Sequence, residues 1–163
     1  MTKTILIATD FSLESLDILK KVLKKKYEQK DENQYNILFV AGYDTGDSIR
    51  DLLFTTKGAV LNKIRPQEFC DAYSIIHNKY PKLINKITCD LFTGSFQRAF
   101  NHYIEVAQAD EAYYASSKSR NLSKSQFDVK NYLKKNRHVE AQEVVTKTTE
   151  LMPEKGRLAE VFL

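Results

Sequence analysis

The stretch that most constrains what this chain can fold into is Thr4-Ile5-Leu6-Ile7-Ala8-Thr9-Asp10-Phe11-Ser12. A continuous apolar run, Ile5 to Ala8, suits a strand buried on both faces, as parallel sheets require. The run stops abruptly in polar Thr9-Asp10-Phe11-Ser12. Leu13, Leu16, Leu19, Val22 and Leu23 then recur at helical spacing, with Lys20, Lys21, Lys24, Lys25 and Lys26 toward the end. This reads as strand, tight turn and helix, with Ser12 as N-cap, Glu14 favouring the first turn and the lysines favouring the last. In open α/β sheets ligands sit at the carboxyl ends of such strands, which puts Asp10 at the edge of any small-molecule site.

The same grammar continues downstream. Tyr35 to Ala41 reads as a second buried strand, with Val40 and Ala41 at its end. Gly42 to Asp47 has turn chemistry. Ile49, Leu52 and Leu53 suggest a short helical segment that Gly58 interrupts, and Pro66 starts a clearer helix that Pro81 ends. Ile84 to Phe92 alternates as a strand, with Ile87, Cys89 and Leu91 on one side. A helix over 96–107 is expected to turn Phe96, Phe100, Tyr103, Ile104 and Ala107 inward. Glu111 to Ala115 reads as a strand, 126–135 as a helix with Phe127, Val129, Tyr132 and Leu133 inward, and Val139 to Val145 as an edge strand. Strand and helix alternate throughout, so the expected fold is α/β, a Rossmann-like three-layer sandwich around a five-stranded parallel sheet. Residues 1–145 form the expected domain. Residues 146–163 are an extension whose apolar end, Leu158 to Leu163, needs cover from the domain or a partner.

Composition narrows the function classes. The chain has 163 residues, 42% hydrophobic and 28% charged, which suits one globular domain. A net charge of +4 is too mild and too dispersed to argue for nucleic acid. Two cysteines, Cys70 and Cys89, form no disulfide framework and no CxxC pair, and read as small buried thiols of a reducing compartment. His77, His102 and His138 lack metal-ligand spacing. Neither a P-loop, a dinucleotide fingerprint nor a nucleophile elbow is present. A strand at the N-terminus, with no positive n-region before an apolar h-region, predicts no signal peptide, no apolar run is long enough to span a membrane, and the expected location is cytoplasmic.

Two segments bear on a ligand. Asp10 can accept from a ribose or base, or simply bond the amides of its own turn. Ser116-Ser117-Lys118-Ser119-Arg120, with Ser123-Lys124-Ser125, offers hydroxyls and cations suited to an anion; the simpler reading is a solvated loop.

The opening Thr4-Ile5-Leu6-Ile7-Ala8-Thr9-Asp10-Phe11-Ser12-Leu13-Glu14-Ser15 resembles the universal stress proteins, whose first strand runs into T-D-F-S-x-x-S. Gly94, a helix, and Val106-Ala107-Gln108-Ala109-Asp110 are similar to the approach to that family's fourth strand. The resemblance implies an adenine nucleotide α-hydrolase-like sheet and a homodimer, often made through the last strand. Some family members bind ATP through G-x2-G-x9-G-[ST] after the fourth strand, where glycine amides approach the phosphates. Here those positions fall near Ala115, Lys118, Asp128 and Val129, none of which fits. The expectation is therefore a non-catalytic stress-response or signalling domain that dimerises and binds protein partners, with no cofactor, no metal and no catalytic residue. The alternative is a sensor of ATP or AMP, with weak hydrolysis at most, using Ala8, Thr9, Asp10, Val40, Ser116, Ser117, Lys118 and Ser119.

Overall fold

The computed structural model describes residues 1–44, 56–117, 122 and 125–146. Its order is β1 (Thr2–Ala8), α1 (Leu13–Glu28), β2 (Gln34–Tyr43), α2 (Lys57–Ile64), α3 (Gln67–Lys79), β3 (Ile84–Phe92), α4 (Gln97–Ala107), β4 (Glu111–Ala115), β5 (Gln126–Phe127), α5 (Lys130–Lys135) and β6 (Ala141–Val144). Five strands run parallel in the order β3-β2-β1-β4-β6, and the two-residue β5 pairs antiparallel with β2.

The apolar run places β1 at the centre. Ile5 and Ile7 face a core built with α1, α2 and α3, whereas Leu6 and Ala8 face a second core built with α4 and α5. Ile5, Leu6 and Ile7 are fully buried, each stabilising the fold by roughly 1.5–3 kcal/mol relative to exposure. On the first face Phe69 lies edge-on against both Phe11 and Phe39, with centroids at 5.4 and 5.2 Å. On the second, Phe92 sits among Phe100, Tyr103, Phe127 and Tyr132. The Ala109-Asp110 pair has a physical role: Asp110 N–H donates to the Thr4 carbonyl (2.9 Å), and its carboxylate accepts from Thr4 N–H (2.8 Å). The start of β4 is thereby pinned to β1.

Four readings of the sequence need correction. Residues 126–135 are not one helix: Gln126 and Phe127 form β5, and only Lys130–Lys135 is helical. Phe127, Val129, Tyr132 and Leu133 still join the second core, because a short strand followed by a helical turn delivers them to the same side. Gly58 does not interrupt a helix but lies in the first turn of α2, where Thr56 caps by accepting from Ala59 N–H (3.1 Å). Phe96 is 74% exposed, because it precedes α4 in extended backbone and so escapes the inward stripe of Phe100 and Ile104. Ser12 occupies the N-cap position of α1 without capping it through its side chain. The suggested segment around Ile49, Leu52 and Leu53, and the tail beyond Thr146, lie outside the described residues.

Candidate functional site

The cleft at the carboxyl end of the sheet is built on the turn after β1. Thr9 N–H donates to the Val40 carbonyl (2.9 Å), carrying the β1–β2 pairing one residue further. Phe11 adopts a left-handed conformation, with φ of 59°. Two side-chain contacts hold that turn: Phe11 N–H donates to Thr9 Oγ1 (2.9 Å), and Ser12 N–H donates to Asp10 Oδ1 (2.9 Å). The Ser15 hydroxyl donates to the Ser12 carbonyl (2.7 Å). Its only proton is thus engaged, so Thr9 donates across the 2.7 Å contact to Ser15 Oγ.

Opposite lies the end of β4. Ser116 N–H donates to the Val144 carbonyl (2.9 Å), and Ser116 Oγ accepts from Thr146 N–H (3.4 Å). Thr146 donates its hydroxyl to Glu14 Oε1 (3.2 Å), and the Ser117 and Thr146 hydroxyls are 3.0 Å apart. Because the Thr146 proton goes to Glu14, Ser117 must be the donor in that contact. The Ser117 hydroxyl therefore turns lone pairs, and no proton, toward the cleft. The Lys130 ammonium donates to the carbonyls of Ser117 (3.1 Å) and Ser116 (3.4 Å), and Lys130 N–H donates to Asp128 Oδ1 (2.8 Å).

The structure thus brings Ala8, Thr9, Asp10 and Ser117 together around one cleft. Ser116 is turned to β6 and Thr146 instead. Val40 does not line the cleft: it is fully buried in the second core, its carbonyl taken by Thr9. Lys118 and Ser119 lie outside the described residues, as do Arg120, Ser123 and Lys124. Glu14, Ser15, Lys130 and Thr146 belong to the site and were not singled out as ligand groups from sequence. Glu14 and Ser15 read as helix-start residues, and Thr146 reads as the start of a tail.

Three features oppose a triphosphate. Among the described lining residues are three carboxylates, Asp10, Glu14 and Asp128, against one ammonium, Lys130. A phosphate charge about 6 Å from one carboxylate is opposed by about 3 kcal/mol at an effective dielectric of about 20. The cleft leaves room for the centre of a water molecule over only about 20 Å³, enough for a water or two rather than a ligand. Asp128 and Val129 stand where the glycine-and-hydroxyl step of an ATP-binding loop is expected, Asp128 lining the cleft and Val129 buried.

β2 supplies a further obstruction. It does not end at Ala41 but runs to Tyr43. β1 pairs with it only as far as Val40, while β3 holds its other flank as far as Gly42. β5 takes the flank that β1 vacates, through Gly42–Phe127 and Tyr43–Gln126. A Cβ on Gly42 would lie 2.4 Å from the Phe127 carbonyl oxygen and 2.5 Å from its ring, so only glycine admits this approach. The flank of β2 beyond the end of β1 is thus occupied by the chain itself. Among the described residues no cluster of three or more metal-ligating side chains occurs, and no helix is long and apolar enough to cross a membrane.

No protein-family model matches the sequence, and neither does any curated protein. Solved structures do match. One is a universal stress protein family member from Burkholderia pseudomallei, 11% identical over 87% of this chain and 95% of that one, with a TM-score of 0.52. Another is the universal stress protein UspA of Lactobacillus plantarum, 9% identical over 89% and 97%, with a TM-score of 0.54. A third is a universal stress protein family protein from Arabidopsis thaliana with AMP bound, 12% identical over 94% and 97%, with a TM-score of 0.51. Near-complete coverage of both partners at TM-scores above 0.5, together with the parallel sheet, leads to one conclusion: this chain has the universal stress protein fold.

Proposed function

We propose that this chain is a divergent universal stress protein that acts without catalysis, by homodimerising and binding protein partners, and does not use ATP. The observation that carries this reading is the relay Ser117–Thr146–Glu14, which spends the hydroxyl protons a phosphate would need and ends on a carboxylate. β5 across the end of β2 supports it independently. The dimer rests on β6, an edge strand with no partner on its outer flank among the described strands, followed by Val145 at 73% exposure.

AMP binding is the second reading. The AMP-bound Arabidopsis neighbour favours it, together with the formed Thr9-Asp10 corner. The test is thermal denaturation with magnesium and millimolar ATP, AMP or no nucleotide, alongside light scattering at rising protein concentration. Under the main reading the melting temperature stays put with either nucleotide and the mass is that of a dimer. Occupancy at 100 times Kd would add about 2.7 kcal/mol to the native state, a shift no instrument would miss. A shift with ATP overturns the reading, a shift with AMP alone establishes the second one, and a strict monomer removes the dimer.

A further inference from the structure

On the face of the sheet that α1 covers, the last strand is left open. α2 and α3 pack over β3 at the far edge and α1 packs on β1 and β4, so among the described helices none lies beyond α1 over β6. A groove of about 460 Å³ runs there, between the second half of α1 and the β4–β6 side of the sheet. Val22 and Tyr113 are buried along it and Val144 is half-buried. Tyr113 pairs in register with Gln142, and alternation sets Val144 on that same face and Glu143 on the opposite one. The α1 wall carries Lys21, Lys25 and Lys26. Two of these are committed: Lys26 donates to Glu111 and to Tyr35, each at 3.0 Å, and Lys21 pairs with Asp17 at 3.1 Å. Lys25 is exposed and makes no ion pair among the described residues. The chain leaves β6 at the mouth of this groove, heading for α1. The Val145 carbonyl accepts from the Lys21 ammonium, and the Thr146 hydroxyl donates to Glu14 (3.2 Å).

We propose that the groove between α1 and β6 is the docking site of this chain's own segment Leu158–Leu163, with Glu160 on Lys25. Groove and segment match in chemistry. Leu158, Val161, Phe162 and Leu163 are apolar, and so are Val22, Val144 and Val145 along the groove. Glu160 is the one charged side chain of the segment, and Lys25 is the groove lysine left without an ion-pair partner among the described residues. They also match in reach. Residues 147–157 separate Thr146 from Leu158, a link that spans up to about 36–40 Å. The α1 wall from Lys21 to Gln29 is about 12 Å long at about 1.5 Å per residue. A tether that short presents the segment at roughly millimolar effective concentration, which favours it over any separate molecule of similar chemistry. The docked segment covers one face of β6 and leaves the strand's outer flank free, so this inference does not depend on the dimer proposed above.

The experiment is zero-length coupling of the full chain with a carbodiimide, which joins a carboxylate to an ammonium in contact with it and expels water. Lys21–Asp17 and Lys26–Glu111, ion pairs of 3.1 and 3.0 Å, serve as internal controls for the reaction. Peptide mapping is expected to find a Lys25–Glu160 amide beside the two control amides. Light and isotopically heavy forms of the chain are mixed in denaturant, refolded together and then coupled. Docking within one chain gives light–light and heavy–heavy products alone. Phe162→Asp leaves the described domain untouched and should slow Lys25–Glu160 coupling severalfold, with the control couplings unchanged. Control amides without a Lys25–Glu160 amide overturn the proposal. So do light–heavy Lys25–Glu160 products, which place the segment on a second copy, and a coupling rate that Phe162→Asp leaves unchanged, which marks a chance encounter. A strict monomer in light scattering removes the dimer and leaves the Lys25–Glu160 product in place, so the two readings fail separately.

Discussion

Gly42→Ala tests the placement of β5 directly. The added Cβ would meet the Phe127 carbonyl oxygen at 2.4 Å, whereas ordinary van der Waals contact begins near 3.4 Å. Relief therefore requires β5 to retreat by the difference, about 1 Å, and backbone cannot swing aside as a side-chain tip can. Either the strain stays, at about 1–3 kcal/mol, or β5 lets go. Letting go gives up the Gly42 and Tyr43 pairing at about 1 kcal/mol per hydrogen bond, and slackens the Phe127 ring against Phe92 and Tyr132 at about 0.5–1.5 kcal/mol per contact. Both routes converge on a loss of about 2–3 kcal/mol. For a chain of this length that lowers Tm by about 5–10 °C. Urea denaturation followed by circular dichroism should show a lower midpoint at unchanged slope. Gly58→Ala is the internal control: nothing lies within 4 Å of its added Cβ, and in the first turn of α2 alanine should leave stability unchanged or raise it by up to about 1 kcal/mol. A Gly42→Ala midpoint within about 0.5 kcal/mol of the parent protein would refute the close approach, and with it the claim that β5 occupies the flank of β2 beyond β1.

Two further outcomes follow from the polar interior. Tyr103 and Tyr113 are held protonated above the ordinary phenol range, chiefly by burial and then by the hydrogen bonds they donate to Asp90 and Glu111, each 2.6 Å. Their folded-state values are raised, so their contribution is complete below about pH 10 and is lost as pH climbs, because the unfolded chain releases protons the native state keeps. Each adds a limiting slope of about 1.4 kcal/mol per pH unit, about 2.7 for the pair, and Tyr103→Phe or Tyr113→Phe should remove one share from urea midpoints measured above pH 10. If tyrosinate absorbance shows all nine tyrosines ionising together near pH 10 before the protein unfolds, the account is wrong. Asp110→Ala removes the acceptor of Thr4 N–H and should cost about 1 kcal/mol at this exposed position; Asp110→Asn should recover most of it, and equal losses in the two variants would contradict a hydrogen-bonding role.

How much was legible in the sequence depends on the range of the interaction. The strands from Ile5, Tyr35, Ile84 and Glu111 announce themselves by apolar runs or alternation, because one strand's burial on the sheet is written into its own side chains. Pro66 marks the start of α3 for an equally local reason. Phe127 was legible as core but not as strand: periodicity says that a residue is inward, whereas the partner of β5 lies on β2, far away in the chain. Thr9 and Asp10 were placed correctly at the strand end, yet their contacts within the turn depend on the left-handed Phe11, which carries no sequence signal. Thr146 was invisible as a site residue. Its position against Glu14 and Ser117 is set by the sheet order, which alone brings the end of β6 beside the end of β4 and the start of α1.

The clasp between Thr4 and Asp110 has a consequence for biosynthesis. β1, β2 and β3 are complete once Phe92 has been made, and these three strands with α1 and α3 assemble the first core. Yet β1 is the middle strand, and one of its flanks stays open until residues around Asp110 are delivered. At about 5–20 residues per second, a nascent chain carries that exposed edge for a second or more after β3 is finished, a period in which it can recruit a foreign strand. Pairing of β4 with β1 closes that window, and the Asp110 carboxylate on Thr4 N–H fixes where the pairing starts.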